Sequence, residues 1–216
     1  RGVWQKVENA FTPTWTKDSK PPTITGLSNG TLPVQEKTWG WNANENASFR
    51  YVINKNASWS FDESVPFKAI TNATLKEVNG TWYLHVQAKD RVGNVGEVIN
   101  VSAELDNTAP VAEIHDVPSS PDCKTSVTVT INGTDVHEYK YSLDDGDWSK
   151  ARGVSQSIKL TNLNEGNHSL AVIGGDQAGN WQEKGNASTA SWIVSEDKIV
   201  DINNDHLTTI KDAILV

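Results

Sequence analysis

Methionine is absent from the 216 residues, and cysteine occurs once, at Cys123. A lone cysteine excludes an internal disulfide framework and any cysteine-based zinc site, and its commonest fate is burial as a small apolar residue. The 19 Lys and Arg are scattered without a basic run and the net charge is −8, so a nucleic-acid backbone is not an expected partner. No apolar stretch reaches the roughly 18 residues of a membrane span. With no Met and Arg1 in first place, the chain reads as a processed product or an excised piece, any signal peptide lying outside it. None of the five histidines (His85, His115, His137, His168, His206) has a second His or a Cys beside it. No metal or nucleophile constellation stands out, and an enzyme is not expected.

What the chain has in excess is turn formers: 20 Asn, 15 Gly, 8 Pro, and 37 Ser plus Thr. Such a composition suits many short strands joined by tight turns rather than long helices. Two five-residue segments spell the same turn, Asp90-Arg-Val-Gly-Asn94 and Asp176-Gln-Ala-Gly-Asn180. In that spelling the Asp carboxylate can accept backbone N–H groups two or three residues on, and Gly tolerates positive φ, so the turn reads as a hairpin device. Aligning the flanks pairs Phe49-Arg-Tyr51 with Tyr139-Lys-Tyr141, Leu84-His-Val86 with Leu170-Ala-Val172, and Trp59 with Trp148. A repeat of about 90 residues has the size of a complete β-sandwich.

The expected fold is therefore all-β, two tandem antiparallel sandwiches, which the resemblance described below makes immunoglobulin-like. Residues 1–19 read as a linker or the tail of a preceding domain, 20–108 and 109–197 as the two sandwiches, and 198–216 as a short loop-helix segment. Alternation places Trp39 and Trp41 in the core where the second copy has Val129 and Ile131. Trp59, Trp82 and Trp148 also fall at repeat-equivalent positions and are expected in the core, whereas His85 reads as strand surface. Of nine Trp, this leaves Trp4, Trp15, Trp181 and Trp192 for a sugar-stacking role.

The second copy carries Tyr139-Lys-Tyr-Ser-Leu-Asp-Asp-Gly-Asp-Trp148, Gly166-Asn-His168, Asp176-Gln-Ala-Gly-Asn-Trp181 and Thr189-Ala-Ser-Trp192. These residues resemble the bacterial and archaeal immunoglobulin-like, fibronectin-III-like repeats of large surface and secreted proteins. The first copy follows in outline through Trp59, Gly80-Thr-Trp82 and Val86-Gln-Ala-Lys-Asp90, with Val95 in place of Trp181. The resemblance implies a non-catalytic extracellular spacer or adhesive module, at a cell surface or secreted, whose partners are other domains or subunits of a surface assembly. The alternative is a carbohydrate-binding accessory module of a secreted enzyme.

The last segment, Asp201-Ile-Asn-Asn-Asp-His-Leu-Thr-Thr-Ile-Lys-Asp212, resembles the calcium loop of a dockerin-type half repeat, with His206 where such loops place Gly. Oxygen ligands at positions one, three, five, seven and twelve can surround a hard cation. Here they are Asp201, Asn203, Asp205, the Leu207 carbonyl and Asp212, and the resemblance implies Ca²⁺ as cofactor and a cohesin-like partner.

Nine Asn-x-Ser/Thr triplets occur, at Asn29, Asn46, Asn56, Asn72, Asn79, Asn100, Asn132, Asn167 and Asn186. Random placement predicts about 3.4, so the excess points to N-linked glycans on turn-like, solvent-facing text. A composition rich in Asn-Gly-Thr turns offers the plainer explanation.

Overall fold

Fourteen strands and one 3-10 turn, Lys184–Asn186, make up the regular structure of residues 16–120 and 122–195, which this computed structural model describes. Among the described residues there is no α-helix. The Asp201–Asp212 loop and the loop-helix segment that contains it lie outside them, as do Trp4 and Trp15. The chain divides into two compact units, one holding 16–31, 36–75 and 81–104, the other 32–35, 76–80 and 105–195.

In the first unit the strands are β1 (Ile24–Thr25), β2 (Glu36–Gly40), β3 (Asn42–Ala43), β4 (Ala47–Asn54), β5 (Asn72–Lys76), β6 (Gly80–Asp90) and β7 (Ile99–Leu105). They form a three-stranded sheet β4-β6-β7 and the pairs β2-β5 and β1-β3. Alternation sends Leu84, Val86 and Ala88 of β6 inward to meet Phe49 of β4, with Trp39 and Trp41 buried alongside. Trp41 meets Phe49 edge-on at 6.3 Å between ring centroids, a geometry that aromatic quadrupoles favour. The core placement expected for Trp39 and Trp41 is what the fold shows.

The second unit contains β8 (Glu113–His115), β9 (Val127–Asn132), β10 (Glu138–Leu143), β11 (Arg152–Gly153), β12 (Ile158–Leu160), β13 (Gly166–Gly175) and β14 (Ser188–Val194). A four-stranded sheet β11-β10-β13-β14 and a three-stranded sheet β12-β9-β8 supply its core. In β9 every second residue is buried, Val127, Val129 and Ile131, the pattern of a strand with one face on a core and one in water. Tyr139, Ile158, Leu170, Val172 and Trp192 complete that core at 2% exposure or less.

The hydrogen-bonded register reproduces the sequence alignment residue by residue. Phe49 faces Ala88, Tyr51 faces Val86 and Ile53 faces Leu84; in the second unit Tyr139 faces Gly174, Tyr141 faces Val172 and Leu143 faces Leu170. A slip of one residue would turn every one of these side chains to the opposite face, so matching register marks two copies of one sandwich.

Three expectations are corrected. Cys123 is exposed, because it lies in the irregular stretch before β9 rather than on a strand. Trp59 and Trp148 lie in loops, and Trp59 is 37% exposed; Trp82 is half-buried on β6. His85 is fully buried even though it stands on the outer face of its sheet. The loop after β4 folds over that face and brings the Trp59 ring 6.1 Å from the imidazole, while Asn100 and Asn54 hold its two nitrogens at 2.6 and 3.1 Å. The same loop is fastened at Arg50, whose guanidinium lies between Phe61 and Phe67 and holds Gln87 Oε1 with two N–H groups.

Candidate functional site

The two shared turns are built alike. Asp90 Oδ1 accepts the backbone N–H of Val92, Gly93 and Asn94 at 2.7 to 2.9 Å, and Oδ2 accepts Asn94 Nδ2 at 2.7 Å. Asp176 accepts the Asn180 N–H at 2.8 Å and Asn180 Nδ2 at 2.7 Å. Gly93 and Gly179 sit at φ 101° and 92°, a region only glycine enters freely. Asp90 is buried, which alone would raise its pKa. The bonds from the Asn94 side chain and from the Asn94, Gly93 and Val92 N–H groups outweigh that and hold the carboxyl below its ordinary value.

Each asparagine also reaches the segment that leads into its unit: Asn94 Nδ2 donates to Asp18 O at 3.3 Å, and Asn180 Nδ2 to Asp106 O at 2.9 Å. The turn is thus a clamp on the incoming chain. It gathers acids as well. Carboxylate oxygens of Asp18, Glu45 and Asp90 lie within 4.8 Å of one another, and so do those of Asp106, Asp135 and Asp176. These positions are 88, 90 and 86 residues apart, the spacing of the repeat, so the same trio is built in both units. Oxygen-only donors of this kind suit a hard cation such as Ca²⁺ rather than zinc. The alignment held this signal, since Asp18 and Asp106 precede Pro22 and Pro110 alike, but sequence reading centred on the turns alone passed over it.

A second polar centre lies in the second unit. His168 is 8% exposed; Nδ1–H donates to Asp144 Oδ2 and Nε2–H to Asn164 O, both at 2.8 Å, and the ring lies 5.8 Å from Trp192. Both partners are acceptors, so only the doubly protonated imidazolium satisfies both. The Asn164 carbonyl first, and then Asp144, raise its pKa above the ordinary value against the opposing effect of burial. An Asp–His pair is the base half of a hydrolytic triad, but here the second nitrogen is taken by a backbone carbonyl and cannot accept a proton from a serine. The expectation that no enzyme motif is present needs one correction, because the letters of a nucleophile elbow, Gly-x-Ser-x-Gly, do occur at Gly26-Leu-Ser-Asn-Gly30. The segment follows β1 as irregular chain, without the strand-to-helix turn that would expose the hydroxyl.

All nine sequon asparagines are exposed. At Asn29 the side-chain oxygen accepts the Ser102 N–H, and at Asn79 the amide donates to Thr108 Oγ1. The indoles that remain half-buried do not form an open platform. Lysine Nζ atoms stand over Trp82 (Lys55, 5.2 Å), Trp181 (Lys140, 3.9 Å) and Trp148 (Lys184, 5.5 Å), and Trp192 is in the core. The calcium ligands expected at Asp201, Asn203, Asp205, Leu207 and Asp212 lie outside the described residues. Among the described residues no helix is long and apolar enough to cross a membrane.

Neither a protein-family model nor a curated protein matches the chain. Among solved structures it is similar to the fibronectin(III)-like modules of Clostridium thermocellum CbhA, at 14% identity over 83% of this chain and 96% of that one, TM-score 0.39. It is similar to the FN1–FN3 domains of chicken CNTN1, at 13% identity over 82% of this chain and 67% of that one, TM-score 0.39. The D00-D0 domain of Intimin is similar at 10% identity, over 81% of this chain and all of that one, TM-score 0.35.

Proposed function

We propose that this chain is a non-catalytic structural spacer of a larger extracellular protein, at a cell surface or secreted. It carries glycans on its outer faces and a calcium-loop docking element at residues 201–212. The observation that carries the reading is the clamp built twice: Asn94 ties Asp90 to the Asp18 carbonyl, and Asn180 ties Asp176 to the Asp106 carbonyl. Two buried carboxylates are thereby committed to holding the leading segment of each sandwich, an arrangement that resists displacement of that segment and suits a mechanical role.

The exposure of every sequon asparagine supports glycan attachment, which needs an asparagine that the transferring enzyme can reach. The oxygen-ligand spacing of Asp201 to Asp212 supports calcium, and with it a cohesin-like partner. Binding of free carbohydrate on an indole platform finds no comparable support, because the half-buried indoles each face a lysine.

Labelling of intact source cells with a membrane-impermeant amine reagent tests the location. The lysines of this chain should react before lysis, and a protein labelled only after lysis overturns the reading. For the calcium element, EDTA should increase proteolysis between 197 and 216 in the native full-length protein; an unchanged digest removes that part alone.

A further inference from the structure

Asn167 stands on β13 directly opposite Ile193 of β14, and Ser169 opposite Ser191. His168 and Leu170 turn inward, so these four residues share the outer face of the sheet. An open groove of about 580 Å³ runs across them. One wall is the Asp144–Asp145 turn, fixed by two bonds of 2.8 Å: Asp144 N–H donates to Ser169 O, and Ser169 N–H donates to Asp144 Oδ1. Ser120 forms the other wall, its hydroxyl accepting the Ile193 N–H at 3.1 Å. The groove is therefore pinned on both sides, and a sequon asparagine forms part of its floor.

Besides Asn167, its lining joins two carboxylates and three serine hydroxyls to one aliphatic side chain, Ile193, which is 42% exposed, and His168 and Trp192 also border it. A pyranose ring offers the complement, a rim of hydroxyls that donate to carboxylates and a C–H face that covers an isoleucine. The volume lies in the range of roughly 300–1,000 Å³ that small ligands occupy.

We propose that this groove seats the first sugars of the glycan carried by Asn167 itself. The inference rests on the reading that the sequons are glycosylated. A sugar tethered at the floor of the groove has an effective concentration on the order of millimolar, so contacts too weak to hold a free saccharide suffice to hold this one.

The test uses the full chain secreted from a host that glycosylates Asn-x-Ser/Thr, with glycopeptide mass spectrometry as readout. Under native conditions an endoglycosidase should release the Asn167 glycan about fivefold more slowly than the Asn186 glycan, the factor that about 1 kcal/mol of seating gives. In Ile193→Ser, whose backbone bond to Ser120 is retained, the two rates should converge. Equal rates in the wild-type chain overturn the groove and leave glycosylation standing, as does an Asn167 without sugar while other sequons are occupied. Absence of sugar at all nine overturns both.

Discussion

One asparagine satisfies both oxygens of a buried carboxylate: Asn180 donates its backbone N–H to Asp176 Oδ1 at 2.8 Å and its side-chain amide to Oδ2 at 2.7 Å. Asn94 and Asp90 repeat the arrangement in the first unit. Because the same amide also holds the chain entering each unit, its removal loosens a turn and a leading segment together.

Asp176→Ala should destabilise the second unit by about 1–3 kcal/mol, since it leaves the half-buried Asn180 backbone N–H without its acceptor and removes one of the two bonds of the Asn180 amide. Asn180→Asp should be worse than Asn180→Ala, because it sets a second carboxylate against the first. Urea unfolding followed by tryptophan fluorescence measures all three. An Asn180→Asp protein as stable as the wild type would show that the clamp contributes nothing.

The two units should respond to pH in opposite senses. His168 is raised above its ordinary value of about 6.5, so its stabilisation is complete below that pH and is lost as pH rises through the higher folded value. Asp144 is the charge bonded to the ring, the Asn164 carbonyl is the other acceptor, and Asp145 is the next residue of the same turn. Asp90 is lowered, so its contribution is present above about 3.9 and disappears as pH falls through the folded value. Melting curves across pH should show a decline on the alkaline side that His168→Gln abolishes. An identical slope in that variant would contradict the assignment.

Gly175 has no room for a side chain, because a Cβ there would lie 2.8 Å from the Trp181 ring. Gly175→Ala should displace the indole from Lys140, red-shift its fluorescence and cost about 1–3 kcal/mol. An unchanged emission spectrum would mean that the ring is held elsewhere.

The architecture was legible because its signals are local and repeated. Alternation marked the inward face of β9, and the Asp-x-x-Gly-Asn turns fixed an alignment that the strand register reproduces at Tyr51 and Tyr141. Burial was less legible wherever a loop decides it. His85 is enclosed by Trp59, which sequence alignment had placed with Trp148 in the core, and no periodicity reports that a loop will fold over a sheet. The acid trios were in the text, 88, 90 and 86 residues apart, but they converge only once Asp18 and Asp106 are drawn to the clamps. The groove at Asn167 was hidden for the same reason, since it needs β14 beside β13 and Ser120 beside Ile193.

Glycopeptide mapping of the native protein from its source tests the account most directly. A glycan-clad extracellular spacer predicts sugar on peptides spanning the exposed sequons, from Asn29 through Asn186. All nine peptides at their unmodified mass would contradict it.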